Sequence, residues 1–216
     1  MKQKHFDTKK LVLFAMFSAI AYILVALIRI PVMLFLSYEP KDVVITMAGF
    51  LLGPMAAPLV SLVVSLVEMF TVSGTGPIGA LMNFLSTVSF CLPAALIYKK
   101  VHNGKGALLG LLAGSIAMIG VMLLWNWLIT PIYMGYPREA VEAMLIPVFL
   151  PFNALKAGLN SAFTMLLYKP IAQALRKANL LPKTGKKAGS KPAIYLIAGL
   201  LLVSCIALFL VLRGVL

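Results

Sequence analysis

A chain of 216 residues that is 62% hydrophobic and only 12% charged cannot hide its apolar surface inside one soluble core. Its mean hydropathy of +1.01 makes lipid the solvent for most of its length. The net charge of +13 would suit a nucleic-acid partner. The basic residues fall in short clusters between apolar runs, however, as membrane-flanking charges do, and that pattern excludes nucleic acid.

The chain opens on "MKQKHFDTKK", which has the basic start of a signal peptide. The apolar run from Leu11 to Ile28 is too long for one, and "RIPVMLFL" follows in place of a small-x-small cleavage site. It predicts an uncleaved first span over 10–29. The first outer loop, "FLSYEPKDV" (35–43), gathers Tyr38, Glu39, Lys41 and Asp42 around Pro40. One reading makes this an acid, base and aromatic gate over a pocket. The other makes it a solvated loop whose Asp42 caps the next helix. The cap is preferred for Asp42, and both readings stay open for Glu39.

Spans two (42–53) and three (55–72) are short and meet at a Gly53-Pro54 turn, so tilt or partial insertion is expected. Glu68 stands alone near the outer end of span three. Span four (78–98) carries Asn83, Ser86 and Thr87, a pattern read chiefly as contact between helices. Span five (106–129) repeats glycine every four residues at Gly106, Gly110 and Gly114, which predicts close internal packing. At its outer end, "LLWNWLITPIY" (123–133) sets Asn126 between Trp125 and Trp127. That is either an interfacial aromatic belt or a clamp for a flat ring with a polar edge.

Span six (144–170) contains "PVFLPFNALKAGLN" (147–160). A helix beginning near Pro151 places Asn153 in its first turn. Asn153, Lys156 and Asn160 then share one face at i, i+3, i+7. A lysine at mid-bilayer costs about 2.5–3.5 kcal/mol, so such residues are functional candidates. Two amides, a lysine and free helix N–H groups suit a ligand rich in carbonyls, ring nitrogens or hydroxyls. The plainer alternative is a snorkelling lysine with amides bonding other helices. A basic linker, "RKANLLPKTGKKAGSKP" (176–192), is expected on the anionic cytoplasmic leaflet. It sets a final span (193–212) apart from the first six.

Placing the N-terminus inside puts fourteen of the nineteen basic residues on the inner side. Arg29, Lys41, Arg138, Lys156 and Arg213 remain outward, with every acid except Asp7. Cys91 and Cys205 lie within apolar runs without CxxC spacing, and His5 and His102 are isolated, so neither a disulfide nor a metal site is expected. No GxxxxGK[ST], HExxH or nucleophile elbow occurs, which leaves no ATP motor and no recognisable catalytic constellation in this chain.

"FLSYEPKDVVITMAGFLLGP", "VEMFTVSGTGPIGALMNFLST", "MLLWNWLITPIYMG" and "IPVFLPFNALKAGLN", in that order over about 8–175, resemble the S components of energy-coupling factor vitamin transporters, nearest to the riboflavin type. The resemblance implies an all-α membrane bundle of six helices (1–175), to which this chain adds a cytoplasmic linker and a seventh transmembrane helix (193–216). It implies capture of riboflavin at the outer face of the cell membrane, with no cofactor and no enzymatic activity. It implies docking on a membrane coupling subunit and two ATP-binding subunits, partly through an AxxxA motif matched by Ala15 and Ala19. The substrate-binding residues carried over are Asn153 and Lys156, with Asn126 and Glu39 as the best counterparts of a helix-five amide and a loop acid. Tyr38, Lys41, Asn83, Trp125 and Asn160 are further candidates. The alternatives are an S component for another vitamin or a nucleobase-like molecule, and an intramembrane lipid-modifying enzyme.

Overall fold

An apolar run flanked by lysines has one stable form in lipid, the helix, because it satisfies every backbone group internally. In the computed structural model, which describes residues 8–72, 74, 76–182 and 192–215, the chain is accordingly almost all helix. Helix α1 (Thr8–Leu27) leads into a short antiparallel hairpin of β1 (Ile30–Met33) and β2 (Leu36–Tyr38). Then come α2 (Lys41–Leu52), α3 (Ala56–Thr71), α4 (Gly76–Lys100) and α5 (Gly104–Met134). Helix α6 (Arg138–Met144) runs through a π-helical turn (Leu145–Phe149) into α7 (Leu150–Lys177), and α8 (Pro192–Leu212) closes the described chain. Helices stand at all seven expected positions, and among the described residues five helical segments are long and apolar enough to cross a bilayer.

Every residue from Lys41 to Phe50 is buried, so α2 is the axis of the bundle. It is packed by α1, α3, α4 and α7. Around it, α1 turns Leu13, Phe17, Ala21 and Val25 inward while Ala15 and Ala19 stay exposed. The glycine repeat lets α5 press on α4: a Cβ at Gly110 would lie 2.6 Å from the Ala94 carbonyl oxygen, and one at Gly114 would overlap the Phe90 carbonyl. Gly49 does the same for α2, where a methyl would meet the Ala95 Cβ at 3.0 Å.

Two ends can be told apart. At one, Phe50 stacks on Tyr98 with centroids 4.3 Å apart, and the Tyr98 and Tyr168 hydroxyls bond at 2.8 Å. Lys99, Lys100, Lys169, Arg176 and Lys177 cluster with this end in sequence. The other end holds the hairpin. Its tip is Leu34-Phe35, with Leu34 in the left-handed region at φ 49°. The sequence predicts an outer loop over 35–43, which overlaps β2. "PVMLFLSY" has no Asn-Gly or Asp-Gly turn signal, and a proline sits in its first strand, so nothing in it announced a hairpin.

The final span is also placed differently. The linker separates it along the chain, but α8 lies along α7, with Gly158 leaving room for the Cys205 thiol. The linker residues 183–191 lie outside the described residues.

Candidate functional site

The hairpin end encloses a cavity of about 300 Å³, within the range of small-molecule sites. Hairpin residues Phe35, Leu36 and Glu39 form one wall, and α4 supplies Ile78, Met82, Asn83 and Ser86. Helix α5 adds Met122, Trp125, Asn126, Ile129 and Thr130, while Phe152, Asn153 and Lys156 come from α7. Six expected residues therefore meet at one space: Glu39, Asn83, Trp125, Asn126, Asn153 and Lys156. Tyr38, Lys41 and Asn160 do not reach it and stand one layer behind. Trp127 points elsewhere and donates to Glu142 at 2.8 Å on the exposed surface.

The amides are aimed by their own helices. Asn126 donates to the Met122 carbonyl at 2.7 Å and accepts from Thr130 at 2.9 Å, which leaves one N–H for a guest. Asn153 donates to the Phe149 carbonyl at 2.7 Å, and among the described residues its side-chain oxygen has no donor. Helix α7 starts at Leu150, one residue before the expected Pro151, so Asn153 lies in its first turn. The π turn nevertheless joins α7 to α6 as one continuous helical segment from Arg138, so this start is not an open helix end. Pro151 has no N–H to give and its ring crowds the preceding turn. The backbone answers with the π turn, in which Leu150 N–H bonds the Leu145 carbonyl five residues back.

Behind the cavity lies an ionic layer that the sequence reading missed. Asp42 is not a cap; α2 starts after Pro40 with no side-chain cap bond. The Asp42 carboxylate is fully buried and accepts from Thr87 at 2.7 Å and from Asn160 at 3.1 Å. Asn160 in turn accepts from the Tyr38 hydroxyl at 3.0 Å. Burial, and next the Asp42 charge, push the Tyr38 phenol well above its ordinary pKa, so it stays a neutral donor. Glu68 is not alone either. It binds the Lys41 ammonium and accepts from Asn83 at 3.0 Å. Lys41 also lies 3.4 Å from Glu39, whose other oxygen accepts from Arg29 at 2.9 Å. The signal was available in part: a carboxylate inside an apolar helix needs a partner, and Lys41 is the lysine nearest to Glu68 in the sequence.

The two buried lysines differ in what they have left to give. Lys41 is held at 2.6 and 2.7 Å by Glu68 and has no access to the cavity. Lys156 lines the cavity and is held only loosely, 3.4 Å from the Ser86 hydroxyl and 3.5 Å from Asp42. Those are long for charge-assisted bonds, so its N–H groups can turn to a guest. The six charged side chains of the region are three cations (Arg29, Lys41, Lys156) and three anions (Glu39, Asp42, Glu68), a set that balances without a ligand.

Comparison with known proteins shows the family of this chain. Residues 9–168 match the family model described as ECF transporter, substrate-specific component. The riboflavin transporter RibU of Staphylococcus aureus is 30% identical over 79% of this chain and 94% of its own length. The riboflavin transporter FmnP of Bacillus subtilis is 29% identical over 80% of this chain and 98% of its own. A solved S component of a bacterial ECF transporter superposes with a TM-score of 0.66 at 31% identity, covering 78% of this chain and 98% of that one. On fold, motif order and sequence, the chain belongs to the substrate-specific membrane components of ECF transporters.

Proposed function

We propose that this subunit captures riboflavin, or a closely related flavin, in the hairpin-end cavity and presents it for ATP-driven import. The observation that carries the reading is the cavity itself: apolar walls with Trp125, and unspent amide and ammonium valences on Asn126, Asn153 and Lys156. That suits a flat aromatic ring with a polar edge of carbonyls and nitrogens. The balanced charges of the surrounding layer favour a neutral guest over an anion. The two relatives named as riboflavin transporters support the same ligand.

The cavity faces the outside, with the N-terminus in the cytoplasm. This follows from the lysines and arginines gathered at the opposite end of the bundle. Energy comes from a partner module, a membrane coupling subunit with two ATP-binding subunits, because the chain has no phosphate-binding loop of its own. Ala15 and Ala19 remain exposed on α1 with α8 in place, so their small-residue face is open to a partner helix.

Purified protein in lipid nanodiscs tests the reading directly. Added riboflavin is expected to lose fluorescence on binding, at one site per chain. A colourless preparation that binds no added riboflavin would assign the cavity to a different small molecule.

A further inference from the structure

Helix α8 is apolar on every side, yet it packs through a single narrow seam. Only Ala198 and Cys205 are fully buried, and Ile194, Leu201, Leu208 and Leu212 are half-buried beside them. These six positions follow the 4-3-4-3-4 spacing of a heptad repeat, while Val203 and Ile206 face outward at 65% and 49% exposure. The small residues let α8 approach α7 closely, with the Cys205 thiol against Gly158.

The seam continues past α7 to the hairpin. Leu208, Phe209 and Leu212 belong to one apolar cluster with Val32, Met33 and Leu36 of the hairpin and Phe152 of α7. Helix α8 touches β1 directly. Leu36 and Phe152 also line the cavity. The same two side chains therefore have the guest's space on one side and the α8 cluster on the other.

We propose that α8 is a positioning element for the substrate site: it braces the β1–β2 hairpin against α7 and so slows escape of the bound guest. The hairpin needs such a brace. It is two short strands with an irregular register near Val32 and a non-glycine residue at positive φ in its tip, and an isolated hairpin of that size is marginal. Without α8 its apolar side would meet acyl chains, which solvate leucine as well as protein does but hold no fixed shape. Loss of the brace thus loosens the wall without a large penalty in stability.

The test keeps the full chain. Leu208→Ala, Phe209→Ala and Leu212→Ala are combined in one variant, with Phe209→Ala alone as a milder form and Val203→Ala plus Ile206→Ala as the lipid-facing control. Hydrogen exchange at the amides of residues 30 and 32–38, in nanodiscs without ligand, reads the hairpin. Stopped-flow riboflavin release reads the site, and this arm alone rests on the flavin reading. Seam variants are expected to exchange faster in the hairpin and to release riboflavin on the order of tenfold faster, with association little changed and the control like wild type. Unchanged hairpin exchange in the seam variant, or an equal effect in the control, overturns the brace. Faster exchange in a protein that never binds riboflavin leaves the brace standing and removes the ligand assignment instead.

Discussion

The Lys41 ammonium closes on both oxygens of the Glu68 carboxylate, at 2.6 and 2.7 Å, with each side chain 1% exposed. Neither group lines the cavity, but each holds one that does: Glu39 for Lys41 and Asn83 for Glu68. Lys41→Met leaves a buried carboxylate without its cation and is expected to cost about 3–5 kcal/mol of stability. Lys41→Met with Glu68→Leu removes both charges and is expected to recover much of that loss. Thermal unfolding of the solubilised protein measures both, and simple addition of the two single losses would show that the pair is not coupled.

Removing the cavity's polar contacts should act on affinity. Asn153→Ala and Lys156→Met are each expected to weaken riboflavin binding about tenfold or more, the worth of one hydrogen bond involving a polar or charged group. Fluorescence titration checks this, and wild-type affinity in both variants would empty the cavity of its proposed role.

Asp42 should act through Lys156. Asp42→Asn removes the carboxylate 3.5 Å from the Lys156 ammonium while keeping an oxygen for Thr87. It is expected to weaken riboflavin binding in the wild-type background and to have little further effect on binding beside Lys156→Met. The expected coupling energy is about 0.5–3 kcal/mol. Equal losses in both backgrounds would make Asp42 a purely structural residue.

Docking and capture should separate. Ala15→Leu with Ala19→Leu enlarges an exposed face of α1 and leaves the inward row of Leu13, Phe17, Ala21 and Val25 untouched. Riboflavin binding is expected to be unchanged, while uptake into vesicles holding the partner module falls to the level without ATP. Retained uptake would move the docking surface elsewhere.

The contact of α5 with α4 tolerates no side chain. Gly114→Ala drives a methyl into the Phe90 carbonyl and is expected to cost about 1–3 kcal/mol, as overpacking does. Gly120→Ala meets open space and should be neutral or slightly stabilising, because alanine is the better helix former. Unfolding temperatures of the two variants decide between them.

The helices were readable because lipid leaves an apolar run few alternatives, and the glycine repeat in α5 announced its own packing. The face shared by Asn153, Lys156 and Asn160 was readable from spacing, although Asn160 turns out to serve Asp42 and Tyr38 rather than the cavity. Other features depended on contacts between residues far apart in the chain. Asp42 looked like a helix cap because a cap is a local pattern, whereas its actual partners are 45 and 118 residues away. The continuation of α6 through Pro147 and Pro151 ran against the strongest local breaker, and a π turn absorbed the conflict. The hairpin had no turn signature, and its apolar side packs on α8, which begins more than 150 residues later.

The even match of three cations with three anions has a bearing on energetics across a polarised bilayer. A single elementary charge moved through a potential of 100 mV exchanges about 2.3 kcal/mol with the field. Arg29, Lys41 and Lys156 travel together with Glu39, Asp42 and Glu68, so any displacement that carries this layer through the membrane is close to electrically silent. The voltage then does little net work on these six side chains as a group.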